Sequence, residues 1–489
     1  MALTVKRLPN KFYPDSTRVI SRFYMPGPED RARSIIKRIL DFSNQEVGSA
    51  LSEVLSDFSK RHRNISKVFE KNFDTVKYVL ASDPGTSPDT LSLERKLLIG
   101  SYFTSEYAIE AAAFFNPSIV EDPNQGNLQE GQKRVIVSFR AIGEGHISSI
   151  VFRGGTITRD NELIFGPAGR FVDLPETVKR HVYDKKHFLE KLREMHVQKD
   201  IIGIVMDNLG DEFIYRELQE SIDEISKKIK LSYSKKKVID SVIWLASSHY
   251  EISFSLDTDI SERVIFPVST HESNGIEDAR FVRFTNGDGS VTYFATYTAY
   301  DGYTILPKSI ETKDFYHFKI SPIYGKYTQN KNLALFPRKI KGKYAMISRS
   351  DGVNNYIMFS NDIHFWHHAQ KIQEPRYPWE FIQLGNCGSP IKTEKGWLLI
   401  THGVGPMRKY CLGAVLLDLQ DPSRIIGQLR EPLLAPNEEE REGYVPNVVY
   451  SCGSLIHNGE LIIPYGMSDY ASGFATVRVD ELLKKLLNH

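Results

Sequence analysis

Cysteine is scarce in this chain, with three in 489 residues, Cys387, Cys411 and Cys452, and no CxxC spacing. That scarcity argues against a disulfide framework and a structural zinc site, and fits a reducing cytoplasm. An excess of one charge is also lacking: 62 Lys and Arg balance 61 Asp and Glu, so no global field draws nucleic acid or an anionic membrane. No apolar run approaches the roughly 18 residues of a membrane span, and the opening MALTVKRLPNKFYPDSTRV lacks the apolar centre of a signal peptide. The expectation is a soluble cytoplasmic protein with a neutral or small-molecule partner, no nucleic acid and no membrane.

What is present falls into two textures. From about 28 to 113 apolar residues recur at three- and four-residue spacing, as with Ile35, Ile36, Ile39 and Leu40, then Leu51, Val54, Leu55 and Phe58. That period predicts about four helices, and residues 1–113 are expected to form a helical N-terminal extension suited to assembly into a homo-oligomer. After 114 the pattern changes to short alternating segments rich in Val, Ile, Phe and Tyr between Gly and Asn turns, the signature of strands. A charged, helix-period stretch at about 175–232 reads as an insertion outside the sheets.

A turn followed by an apolar strand recurs at Gly131, Gly289, Gly342, Gly396 and Gly459. Each copy is one sheet of about fifty residues that cannot close a core alone. Five of them stacked radially bury their faces against one another, so the expected fold is mainly β, a five-bladed β-propeller over 114–489. A pair of packed β-sheets is the alternative. In a propeller the inner strands converge on a central funnel, which gathers Asn116 and Arg140, Asp278 and Arg280, Lys331, Asn332 and Arg349, His402, and Asp469. Such a mixed-charge pocket suits sugars or phosphate.

The adjacent acids Glu277 and Asp278 in SNGIEDARFVRF stand at the mouth of one such strand. Cleaving a glycosidic bond needs a proton donor and a nucleophile on the opposite ring face. Alternation along a strand predicts that only one of the two acids faces the funnel, and Asp278 is the choice. Its neighbouring acid and its burial are expected to raise its pKa, with Arg280 limiting the rise.

The segments FNPSIV, GIEDARFV, NKNLALFPRKIKGKYAMISR, GNCGSPIKTEKGWLLITHGV, YCLGAVLLDLQDPSRII, GYVPNVVYSCG and IIPYGMSD, in that order over most of 114–480, resemble glycoside hydrolase family 130, five-bladed propellers that cleave β-mannosides. The resemblance implies a manno-oligosaccharide or β-mannoside substrate, no cofactor, no metal, and inorganic phosphate as possible co-substrate. It makes Asp278 the catalytic acid, with Ala279 where the family carries proline. It assigns Asn116, Arg140 and Asp469 to the sugar, together with Arg280, and Tyr410 and Tyr450 as ring contacts that read equally well as core. Lys331, Asn332, Arg349 and His402 are the phosphate set. Gln383 replaces the lysine expected before the Gly-rich turn, and Arg338 or Arg349 can make up that charge. The implied reaction is inverting phosphorolysis that yields mannose 1-phosphate, with hydrolysis by water, a non-catalytic glycan-binding propeller and a structural scaffold as alternatives.

Other features read as structural. These are His364, His367 and His368 in NDIHFWHHAQ, His146 in a turn, the basic runs near 226–237, and the acidic loop 437–442, from which Glu442 is a remote candidate base.

Overall fold

The computed structural model describes residues 3–81, 87–178, 182–195, 197, 199–228 and 232–488. The chain is mainly β with helices. Among the described residues the strands fall into six hydrogen-bonded sheets, and most of them run in five antiparallel sets, the first two joined into one eleven-stranded sheet by a parallel bridge and the second extended outward by Tyr250–Ser253 and Glu176–Val178. The first contains Ala113–Glu121, Lys133–Ile142, Ser148–Ile157 and Leu163–Phe165, and the second Gly275–Thr285, Val291–Tyr300, Ile305–Thr312 and His317–Pro322. The third contains Ala334–Leu335, Tyr344–Ser348, Asn355–Ser360 and Ala369–Gln373, and the fourth Gln383–Asn386, Trp397–Val404, Tyr410–Leu417 and Ile425–Gln428. The fifth is Val449–Tyr450, Glu460–Met467, Ala471–Arg478 and, from the opposite end of the chain, Lys6–Phe12.

The repeated glycines precede the second strand of every sheet. Gly131, Gly289, Gly342 and Gly459 have φ of 82°, 84°, 79° and 80°, the left-handed conformation a side chain disfavours.

Alternation along each second strand explains the core. Ile136 packs toward the second sheet while Val135, Val137 and Phe139 pack toward the fifth. Leu398 and Ile400 join the layer shared with the fifth sheet, whereas Trp397 and Leu399 join the layer shared with the third. A strand buried on both faces thus supplies two apolar layers, and each layer lies between two consecutive sheets.

At their inner ends the sheets touch in chain order. Gly275 bridges to Ser148, and a Cβ at Gly275 would lie 2.2 Å from the Ser148 hydroxyl, so this approach requires glycine. Thr285 donates to Pro337, Asn386 to Asn332, Tyr410 bridges to Val448, and Cys452 donates to Pro117 of the first sheet.

Two expected boundaries change. Residues 1–113 are not wholly helical: Lys6–Phe12 completes the fifth sheet, and Asp15–Phe23 pairs with Thr104–Glu110 around the helices Glu29–Leu40, Asn44–Phe58, Ile65–Val76, Tyr78–Ala81 and Leu93–Tyr102. Those two edge segments have no helical period, and their partners lie too far along the chain to be read locally. The insertion differs at both ends: Glu176–Val178 is a strand paired with Tyr250–Ser253 beside the second sheet, its helices begin at Lys185, and they run on through Tyr233–Ser247, so it ends near 247 and not near 232. It packs on Tyr324 and Phe365. Of the basic runs, 227–228 end one helix and 235–237 begin the next, while 229–231 lie outside the described residues. Among the described residues no helix is long and apolar enough to cross a membrane.

Candidate active site

Four polar residues share one backbone conformation. Asn116, Asp278, Asn332 and Asp469 have φ of 51°, 56°, 69° and 51°. Asn and Asp tolerate this left-handed region better than other side-chain-bearing residues. At Asn116 and Asp278 the cause is a bulge: register slips between Phe115 and Ser118 against one partner strand and between Glu277 and Arg280 against another. Pro117, which has no N–H to give the ladder, sits inside the first bulge. Each bulge turns a side chain inward at the inner edge of its sheet. Asn116 Nδ2 donates to Asp278 Oδ1 at 2.5 Å.

These residues line one cavity of about 270 Å³ with Arg140, Glu277, Lys331, Arg349, Gln383, His402, Arg408, Tyr410, Val445, Val448 and Tyr450. All five sheets or the segments leading into them contribute. Another cavity of about 280 Å³ lies among the N-terminal helices, but it is mostly apolar and contains none of the expected site residues.

Both acids of the 277–278 pair face the cavity, contrary to the alternation expected for a regular strand. The bulge with its positive φ at Asp278 removes the period-two rule at that point. Glu277 accepts from Arg140 Nη2 at 2.9 Å and pairs with Lys331 Nζ. Two cations assigned to ligand are therefore engaged by one carboxylate.

The expected rise in the Asp278 pKa is also reversed. Burial pushes it up, but Arg140, Arg280, Lys331 and the Asn116 amide together outweigh burial and hold it below the ordinary carboxylate value. Asp469 takes the opposite course. Burial carries it to about 6, since the pull of Arg140 is offset by the negative charge of Asp278.

Arg280 does not line the cavity. Its buried guanidinium donates to the Asp278 carbonyl at 2.9 Å and to the Tyr450 hydroxyl at 2.6 Å, so it supports the site from behind and does not reach substrate directly. Tyr450 and Asn332 are tied together at 3.1 Å, and Asn332 also donates to the Asn386 carbonyl at 3.0 Å. The Tyr410 ring stacks on His402 at 6.0 Å, and Gln383 donates to its hydroxyl at 3.3 Å.

His402 reaches the cavity as expected but is neutral. Burial first, then Arg349 and Arg280, push its imidazole well below the ordinary value. Nδ1 lies 3.2 Å from the Asn386 carbonyl and can only donate there, which leaves a lone pair on Nε2 facing Arg349 Nη1 at 3.4 Å. His402 thus orients Arg349 without adding charge. A Cβ at Gly385 would lie 2.5 Å from His402 Cε1, so glycine keeps this ring in place.

Arg338 stacks over Trp397 and does not line the cavity, so of the two cations offered for the missing lysine only Arg349 is present there. Glu442 is exposed and is absent from the lining. His146 occupies an exposed turn. Among the described residues no cluster of His, Cys, Asp and Glu has the geometry to hold a metal, and His364 is half-buried between sheet and insertion.

Asn116 Oδ1, Arg140 Nε and Arg349 Nε are buried with no hydrogen-bond partner among the described residues. Buried polar atoms are normally satisfied, and these three belong to residues that line the cavity. Glu277, Arg408, Val445 and Val448 are lining residues that motif reading did not assign. For Glu277 the signal is its place beside Asp278 in a bulged strand.

Comparison with known proteins identifies the family. The glycoside hydrolase 130 family model, described as beta-1,4-mannooligosaccharide phosphorylase, matches residues 222–488. A 1,2-beta-oligomannan phosphorylase of Thermoanaerobacter sp. (strain X514) is 36% identical over 227 residues, 44% of this chain and 74% of that protein. A beta-1,2-mannobiose phosphorylase of Listeria innocua serovar 6a is 28% identical over 358 residues, 71% of this chain and 94% of that protein. A solved structure of beta-1,2-mannobiose phosphorylase from Listeria innocua with beta-1,2-mannobiose aligns at a TM-score of 0.47 and 23% identity, covering 78% of this chain and 94% of that one.

Proposed function

From the premise that this chain belongs to glycoside hydrolase family 130, we propose that it cleaves β-mannosides of manno-oligosaccharides by inverting phosphorolysis. The observation that carries the reading is the meeting of Asp278 with Arg140, Lys331, Arg349 and Arg408 in one cavity edged by orphaned donors. Glu277 balances Arg140 and Lys331, and a neutral sugar alone does not call for the two further cations, Arg349 and Arg408, whereas an entering phosphate does. We propose a five-bladed propeller as its architecture; the contacts of each strand set with the next, and of the fifth with the first, support that reading.

Phosphate oxygen attacks the anomeric carbon while the bond from that carbon to the leaving oxygen breaks, giving α-mannose 1-phosphate from a β-linkage. Asp278 passes a proton to the leaving oxygen. The net source of that proton is hydrogen phosphate, so the step balances without another reactant. Asp278 is ionised at rest because cations surround it. A phosphate anion screening those cations raises its proton affinity at the moment a donor is needed. Asn116 and Arg140 would hold the sugar around the cleaved bond, with Asp469 and Tyr410 across the cavity. Tyr450 and Arg280 would fix the wall behind, and Lys331, Asn332 and Arg349 would take phosphate.

The test is incubation with β-1,2- and β-1,4-linked manno-oligosaccharides, with and without phosphate. Phosphate-dependent mannose 1-phosphate is expected. Free mannose independent of phosphate would establish hydrolysis instead, and sugar binding without turnover would establish a binding protein. We further propose a cytoplasmic homo-oligomer. Three buried free thiols and the exposed Phe42, Phe58 and Tyr102 of the helical module support it, and light scattering tests the assembly.

A further inference from the structure

The turn Pro406–Arg408 joins the two central strands of the fourth sheet, and Met407 and Arg408 have consecutive left-handed φ of 57° and 54°. Two such residues in succession, neither of them glycine, cost about 1–3 kcal/mol each and persist where surrounding structure imposes them. The same turn occurs in the first sheet at residues 143–146. There the equivalent pair is Gly145 and His146, with φ of 67° and 61°, so glycine relieves half the strain. In both copies the first turn amide reaches across to close the loop, Gly143 to Ile147 and Gly405 to Lys409. The fourth sheet thus keeps the strained geometry without the residue that would ease it.

The conformation leaves Met407 88% exposed and brings Arg408 to the cavity lining. The other cations there are engaged. Glu277 holds Arg140 and Lys331, and His402 accepts from Arg349. Among the described residues Arg408 alone of these four has no ion pair or hydrogen bond. Its turn follows Val404, which pairs with Gln383 on one side and Tyr410 on the other. Arg408 therefore stands over the edge of the cavity where Gln383 brings hydrogen-bonding capacity but no charge. Arg408 acts on Asp469 only at longer range, helping to draw off its proton, and the anion that enters with a neutral sugar is phosphate.

We propose that Arg408 is a phosphate-binding residue that supplies, from the strained turn, the positive charge Gln383 lacks. This rests on the phosphorolytic reading. A guanidinium offers paired donors to two phosphate oxygens, geometry that lysine does not reproduce.

The test compares the parent protein with Arg408→Gln and Arg408→Lys. Loss of one charge-assisted contact should raise the KM for phosphate, and for mannose 1-phosphate in the reverse direction, about tenfold or more in Arg408→Gln. The KM for oligosaccharide and the melting temperature should change little, and Arg408→Lys should recover part of the loss. An unchanged phosphate KM, or a rise confined to the oligosaccharide, would overturn the assignment. If the parent protein proves to be a hydrolase, the phosphorolytic reading fails separately. Calorimetric titration with inorganic phosphate then decides the site alone: equal affinity of parent and Arg408→Gln, or no binding to either, refutes it.

Discussion

Asp278 and Asp469 face the same cavity and hold their protons with opposite strength. Asp278 lies among Arg140, Arg280 and Lys331 and is kept below the ordinary carboxylate value, whereas burial lifts Asp469 to about 6. The asymmetry has a sign that stability measurements read. Asp469 binds its proton more tightly folded than unfolded, so its favourable contribution is complete below its ordinary value of 3.8 and is lost as pH rises toward 6. Asp278 does the reverse: its contribution is present above 3.8 and is lost as pH falls through its depressed folded value. Asp469→Asn should therefore gain stability relative to the parent between pH 4 and 7, on the order of 1–3 kcal/mol. Urea denaturation at both ends of that window checks it. An identical pH dependence in the two proteins would show that Asp469 does not titrate there.

Asp278→Asn keeps a residue that accepts φ of 56° but cannot carry the proton. Turnover should fall roughly 10²–10⁴-fold, the usual range for a positioned acid, with sugar affinity within a few-fold of the parent. Asp278→Ala should lose the same activity and also melt earlier, because alanine is strained at that φ. Steady-state kinetics with thermal melts separates the two effects.

Gln383→Lys restores a cation at the edge of the cavity beside Tyr410. The KM for phosphate should fall several-fold at low ionic strength, and added salt should erode the gain. No change in phosphate KM would place the anion elsewhere.

Lys308 and Glu272 form a wholly buried ion pair at 2.8 Å, and Glu272 also accepts from the hydroxyls of Tyr250 and Tyr297 and from the amides of Val268 and Ser269. This network fixes the segment leading to Gly275 and the acid-bearing strand. Lys308→Met strands a buried carboxylate and should cost about 3–5 kcal/mol in urea denaturation, with activity falling in step with the folded fraction.

Much of this protein follows from its sequence alone. Glycine-led turns before alternating apolar strands marked the mainly β fold, and polar residues at matching places in those repeats marked most of the cavity wall, since periodicity and turn chemistry are local. The pairing of Lys6–Phe12 with Ala471–Arg478 was invisible because a strand does not specify a partner at the other end of the chain. Only the tertiary structure decided that Glu277 enters the cavity beside Asp278, that Arg280 stands behind it, and that His402 is neutral. Those outcomes depend on a bulge, on burial and on charges brought from other sheets. Proton affinity and side-chain direction are set by neighbours in space, and the order of residues along the chain does not contain them.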